Sequence, residues 1–226
     1  MRVIIVRHGE PDYENDCLTP RGHEQAKAVA RRLQKEGIEK VYASSMGRAQ
    51  ETASYTAQLL RIQTVETLDF MRELDWGSTD GTPLFANGHP WHVSDELVRK
   101  GQNLLDPCWK DTPFFRTNKV TAAVERVAAN TDSWLEEFGY RREGQYYRDV
   151  RCELSDNQQR TIALFCHGES SSAMIAHILN LTFPYVCAVM HADFTAITVL
   201  KFDSTQNKLC IPTVEIACDA RHIKQE

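Results

Sequence analysis

The sequence predicts an α/β fold: a three-layer α/β/α sandwich around a mainly parallel sheet, with an irregular lid inserted near its middle. Three observations carry this. Short apolar runs without polar alternation, such as Val3-Ile4-Ile5-Val6 and Thr161–Cys166, have the composition of strands buried on both faces. Segments with apolar residues at helical spacing stand between such runs. No linker, low-complexity stretch or internal repeat interrupts the alternation, so residues 1–226 are expected to form one domain.

The elements follow in order. The first strand, Arg2–Val6, stops at Arg7-His8-Gly9-Glu10-Pro11, where glycine and proline punctuate a loop. Thr19 as N-cap and Pro20 at the first helical position start a helix. Its Ala26, Val29, Ala30 and Leu33 share one face, and Gly37 supplies the stop. Val41-Tyr42-Ala43 is a second strand. Ser44 and Ser45 are candidate caps for a second helix, with Ala49, Thr52, Ala53, Thr56 and Leu60 on one face. Thr64–Leu68 reads as a third, partly polar strand. From about 77 to 117 the periodicity dissolves among glycines, prolines and scattered aromatics, the pattern of a substrate-covering segment. The aromatics there are read mainly as core. Period returns at Val120, Val124, Val127, Thr131, Trp134, Leu135 and Phe138, with Gly139 as the stop. After Thr161–Cys166 a helix carries Met174, Ile175, Ile178 and Leu179, and Ala196–Phe202 with Lys208–Pro212 read as a closing strand pair.

Composition narrows the function. Hydrophobic residues make up 42% and charged residues 25%, the balance of a soluble globular protein. The formal charge is −5, which leaves no basic excess to coat a nucleic acid. The opening apolar run is far shorter than a signal peptide's core, and no stretch approaches the ~20 apolar residues of a membrane span. Seven cysteines, an odd number without CxxC spacing, suggest neither disulfides nor a zinc ribbon, and a cytoplasmic location is expected. Oligomeric state is left open.

In open α/β sheets ligands bind beyond the carboxyl ends of the strands. Two loops at such ends carry histidine followed by glycine: Arg7-His8-Gly9-Glu10 and Cys166-His167-Gly168-Glu169. If their strands are neighbours, His8 and His167 converge. Gly9 and Gly168 would let the backbone approach a ligand. Each histidine precedes a helix whose N-terminus favours anions, and Arg48 starts a third element pointing the same way. Two histidines, Arg7, Arg48 and helix N-termini make an oxyanion site, with phosphate the leading candidate.

The same residues carry a family resemblance. Arg7-His8-Gly9-Glu10 with Leu18-Thr19-Pro20-Arg21-Gly22-His23-Glu24-Gln25-Ala26 resembles the opening of the histidine phosphatase (phosphoglycerate mutase-like) superfamily. Ser44–Ala53 is similar to its second motif, Arg72–Gly77 to the segment holding its acid, His167-Gly168-Glu169 to its second histidine motif and Cys218–Ile223 to a common ending. The resemblance spans the chain. It implies that His8 attacks phosphorus, that Arg7, Arg48, His167 and the Gly168 backbone surround the phosphoryl group, and that Glu73 protonates the leaving oxygen and then activates water. It implies no metal and no cofactor. One departure stands out: the mutase-like branch has asparagine four residues after the motif glutamate, whereas here Glu14 is followed by Asn15.

Each residue alone has a plainer reading. RHG is a three-residue motif, Arg48 a solvated helix residue, Glu73 a partner for Arg72, and His167 a core histidine. Glu10 and Glu169 are read as helix caps. His89-Pro90-Trp91-His92 offers two imidazoles, but Pro90 is read as blocking a helical i, i+3 pair, and no acidic or cysteine partner stands at ligand spacing, so no metal is expected. The expectation is a cofactor-independent phosphatase acting on a small phosphorylated substrate. The alternatives are a phosphoglycerate mutase or a low-turnover phospho-ligand-binding regulator.

Overall fold

The computed structural model describes residues 1–151, 160–203 and 205–223, which excludes Cys152. Six strands form the main sheet: β1 (Arg2–Arg7), β4 (Ile38–Ala43), β5 (Val65–Thr67), β8 (Thr161–Cys166), β9 (Ile197–Lys201) and β11 (Thr213–Asp219), in the order β11-β9-β1-β8-β4-β5. The β1–β8, β8–β4 and β4–β5 pairs are parallel, while β9 and β11 are antiparallel additions at one side. This is the mainly parallel, helix-covered sheet expected.

Alternate side chains of the central strands leave on opposite faces, and each face has its own core. Ile4, Val6, Val41, Ala43, Ala163 and Phe165 pack with Val29 and Leu33 of α1 (Pro20–Leu33) and Ala53 of α2 (Gly47–Leu60). Val3, Ile5, Tyr42, Ile162 and Leu164 face the larger cluster. That cluster is built on α4 (Lys119–Glu136), α5 (Gly168–Leu179) and α6 (Phe183–Val189). The cap at α1 is as read: Thr19 Oγ1 accepts the Gly22 N–H with Pro20 at the first position. The cap at α2 is not. Met46 occupies the N-cap without a side-chain bond, and Ser44 is used elsewhere.

One reading needs correction at the edges, and two small ribbons join it. Lys208–Pro212 does not close against the Ala196–Phe202 strand; that partner is β11, while β10 (Leu209–Cys210) pairs with β7 (Tyr146–Asp149). β7 in turn forms a hairpin with β6 (Tyr140–Glu143), built from charged and aromatic residues that carry no simple alternation. A two-residue ribbon, β2 (Pro11–Asp12) with β3 (Cys17–Leu18), folds the loop after β1.

The covering segment is also more ordered than its sequence suggests. Its ends meet: Thr79 N–H donates to the Thr117 carbonyl and Lys119 N–H to the Gly77 carbonyl. Within it lies α3 (Pro90–Arg99), and Pro90 starts this helix at its first position instead of blocking it. His89, at the N-cap, and His92 consequently stack with ring centroids 4.5 Å apart. The aromatics divide: Trp109 and Phe115 enter the core, as read, while Trp76 and Trp91 line a cavity.

Candidate active site

The parallel pairing of β1 with β8 sets Arg7 opposite Cys166, so both histidine loops leave the same end of adjacent strands. His8 and His167 meet there with ring centroids 5.0 Å apart. His8 is 1% exposed. Its Nδ1 lies 2.7 Å from the Gly9 carbonyl, which only an N–H can satisfy, so the lone pair is on Nε2. Burial, and after it the positive charges of Arg7 and Arg48, pushes the His8 imidazole down to about 3 against a donor bond to Gly9 that opposes the shift. His8 thus presents a neutral imidazole with an oriented Nε2 lone pair at physiological pH.

Arg48 Nε lies 3.3 Å from His8 Nε2, and its Nη1 bonds Asp16 Oδ1 at 2.5 Å. Asp16 Oδ2 also accepts the Gly47 N–H at 2.7 Å. A Cβ at Gly47 would come within 2.1 Å of the Asp16 carbonyl, so glycine here permits that contact. Arg7 lies between the rings of Phe194 and Trp91, at 4.4 and 5.0 Å, and donates to the Ala192 carbonyl. Among the described residues its buried Nε has no partner. On the second histidine, Nε2 is 2.8 Å from Ser44 Oγ, which already accepts the Met46 N–H. The Ser44 hydroxyl proton therefore suits Nε2, which leaves the His167 hydrogen on Nδ1, a buried atom with no partner among the described residues. Burial and the neighbouring His8 hold this imidazole well below its ordinary range.

Glu73 closes the arrangement. It follows the turn after β5, and its Oε1 accepts the Leu74 and Ser170 N–H groups, each at 3.1 Å. Burial, with Glu169 beside it, pushes its carboxyl well above the usual carboxylate range. Arg7, Arg48, Glu73, Trp76, His89 and Trp91 all line one cavity of about 1360 Å³. The structure therefore brings together His8, His167, Arg7, Arg48 and Glu73.

Gly168 begins α5 directly after His167, so that helix N-terminus opens beside the histidine pair. The reason for glycine differs from the one expected, however. A Cβ at Gly168 would meet Trp91 Cζ2 at 2.5 Å, and one at Gly9 would meet the Gly22 carbonyl at 2.7 Å. Both admit protein atoms. Only His167 stands directly at a helix N-cap; after His8 the chain first runs through the β2–β3 ribbon. Asp16, Ser44, Glu169 and His89 were not identified as site residues from sequence. Asp16 had a weak signal in the departure at Glu14 and Asn15. Asn15 donates to Asp12 instead of reaching the site.

The sequence pattern of the histidine phosphatase superfamily, branch 1, matches residues 3–211. The chain belongs to this family. A Schizosaccharomyces pombe phosphatase is 28% identical over 46% of this chain and 57% of its own length, and a Yersinia enterocolitica phosphoglycerate mutase-type protein 32% over 37% and 43%. The chain thus matches about half the length of these curated relatives. A Hydrogenobacter thermophilus protein provisionally named phosphoserine phosphatase 2 is 30% identical over 92% of this chain and 96% of its own. Among solved structures, the Entamoeba histolytica phosphoserine phosphatase with 3-phosphoglyceric acid superposes with a TM-score of 0.63 at 22% identity, covering 99% of both chains. A mycobacterial glucosyl-3-phosphoglycerate phosphatase with inorganic phosphate gives 0.62 at 20%, again covering 99% of both. The histidine phosphatase α/β fold is shared throughout. Among the described residues of this family member, no single helix is long and apolar enough to cross a membrane.

Proposed function

We propose that this histidine phosphatase superfamily member hydrolyses a small phosphate monoester through a phosphohistidine at His8. The observation that carries the reading is the lone pair of His8 Nε2, fixed by the Gly9 carbonyl and aimed among Arg7, Arg48 and His167. On substrate binding the Arg48 Nε–H transfers from His8 to a phosphoryl oxygen, which frees the nucleophile. The P–N bond forms as the ester P–O bond breaks, and Glu73 gives its proton to the leaving oxygen. Water then attacks phosphorus, Glu73 takes its proton, and phosphate leaves His8. The guanidiniums of Arg7 and Arg48, with the unpartnered His167 Nδ1, stabilise charge on the equatorial oxygens.

The covering segment supports hydrolysis over isomerisation. Residues 77–117 carry five acids and four bases, whereas a cover gripping a bisphosphate needs a clearly basic surface. The names of the relatives make phosphoserine and phosphoglycerate esters the first panel to screen. A phosphoenzyme labile in acid and stable in alkali is expected after brief exposure to a phosphoryl donor, and His8→Ala should remove it and cost at least ~10³-fold in rate. Near-normal activity of that variant would refute the covalent route. Phosphoglycerate isomerisation should be at least ~100-fold slower than hydrolysis, about 2.7 kcal/mol of barrier; the reverse order in one assay would favour the mutase.

A further inference from the structure

Glu73 has a second carboxyl for a neighbour. Glu169, on the first turn of α5 and only 5% exposed, lines the same cavity as Glu73, whose Oε1 accepts the N–H of the next residue, Ser170. On its far side His89 Nε2 stands 3.5 Å from Glu169 Oε1. His89 is itself clamped, with its ring centroid 4.6 Å from Trp76 and 4.5 Å from His92. Three elements thus contribute to one chain of groups: the α3 N-cap, the first turn of α5 and the turn after β5. Two carboxylates placed this close in a shielded cavity cannot both carry a charge at low cost, so the pair holds one proton.

Building on the phosphatase reading above, we propose that Glu169 is a positioning residue whose carboxylate, held by His89, keeps the shared proton on Glu73. Two features place the negative charge on the Glu169 side: the positive N-terminal turn of α5 and the His89 N–H. Glu73 Oε1 is occupied by two backbone N–H groups, which leaves Oε2 of this cavity-lining residue to carry the acid proton. When that proton passes to the leaving oxygen, the ester P–O bond breaks, the P–N bond forms, and the pair holds two negative charges. Their repulsion makes Glu73 a stronger base for the attacking water. The water proton returns to Glu73 as the P–N bond breaks and phosphate leaves, which restores the pair. The other titratable groups facing the pair are Cys166 of β8, Cys187 of α6, and His89 with its neighbour His92 on α3; Arg72 and Asp75 flank Glu73 on its own turn. Burial holds both thiols above their ordinary range, so they contribute no charge near neutrality.

The test reads the pair in the resting protein and in turnover. Infrared spectra across pH should show a buried protonated carboxyl near neutral pH that Glu73→Gln removes. In Glu169→Gln the repulsion is gone and the carboxamide N–H favours ionised Glu73, so this band and the basic limb of the pH–rate profile for an alkyl phosphate should move down by about one pH unit or more. His89→Phe, which keeps the stacking but loses the N–H, should move both the opposite way. A structural role for Glu169 would lower the rate at every pH and leave the limb in place. That outcome, or no protonated carboxyl near neutral pH in the native protein, overturns the proposal. The infrared arm decides it even if the protein releases no phosphate from any ester, a result that would count against the phosphatase reading alone. Should Glu169→Gln fail to fold, an unmoved limb in His89→Phe overturns it equally.

Discussion

Asp16 and Arg48 form an ion pair beside the His8 ring: Oδ1 meets Nη1 at 2.5 Å, while Nε of the same guanidinium faces His8. The pair sacrifices part of the positive charge that would attract phosphate. In exchange it fixes the fork of Arg48, and a fixed fork is worth more in the transition state than a mobile one. Asp16→Ala should therefore lower kcat about 10-fold or more without abolishing phosphate binding, since Arg7 is untouched. Asp16→Asn keeps one acceptor and should fall between. Steady-state kinetics on one monoester checks this; a rise in kcat for Asp16→Ala would mean that charge outweighs orientation.

Glu73 is tested through the leaving group. An aryl phosphate departs as a stable phenolate, whereas an alkyl phosphate departs as a costly alkoxide that needs a proton. Glu73→Gln should slow alkyl esters at least ~10-fold more than p-nitrophenyl phosphate. Equal slowing of both would make Glu73 a structural residue.

Arg7 and Arg48 bring positive charge to the cavity, and among the described residues no group of three or more His, Cys, Asp or Glu side chains is arranged to hold a metal ion. Activity should survive a chelator, and vanadate, which adopts the five-coordinate geometry of the transition state, should inhibit. Loss in chelator with recovery on adding zinc or magnesium would instead indicate metal-assisted hydrolysis.

The two buried histidines also shape stability. Both stay neutral in the folded chain well below the ordinary value of 6.5, so their contribution is full above about 6.5. It is lost as pH falls from there, down to about 3 for His8, because the unfolded chain binds protons that the native state refuses. The slope is up to ~1.4 kcal/mol per pH unit for each histidine. Glu73, raised in the folded state, has the opposite sign: its contribution is full below about 4.5 and is lost as pH rises. Replacing His8 and His167 together by Asn should therefore flatten the fall in Tm between about pH 6.5 and 5. An unchanged slope in calorimetry would show that other groups drive acid unfolding.

Sequence reading recovered the elements whose signals are local. Helical period and a Thr-Pro start specify α1, and an unalternating β-branched run specifies β1. It failed where one residue type has two local meanings. Pro90 is as good a helix starter as a breaker, and with Gly88 before it the breaker reading won over α3. The hairpin Tyr140–Asp149 is hidden in the sequence because charge dominates it, while its burial comes from two tyrosine rings, Tyr140 and Tyr147, and a distant helix. His8, His167, Arg7 and Arg48 were legible because strand ends and a helix start place them, and Glu73 because Arg72–Gly77 resembles a family motif. Asp16 and Glu169 were not, since their partners, Arg48 and Glu73, are neighbours only in three dimensions.

The in-register pairing of Arg7 with Cys166 has a consequence for how the protein comes into being. The two histidines reach one another only after the first strand has waited for a strand from late in the chain, a closure over most of the polypeptide that local helices cannot replace. Nascent or partly refolded chains, even with α1 and α2 formed, should hold no phosphoryl pocket. Vanadate binding would then be a clock for the last step of refolding, appearing with the slowest phase and never ahead of it.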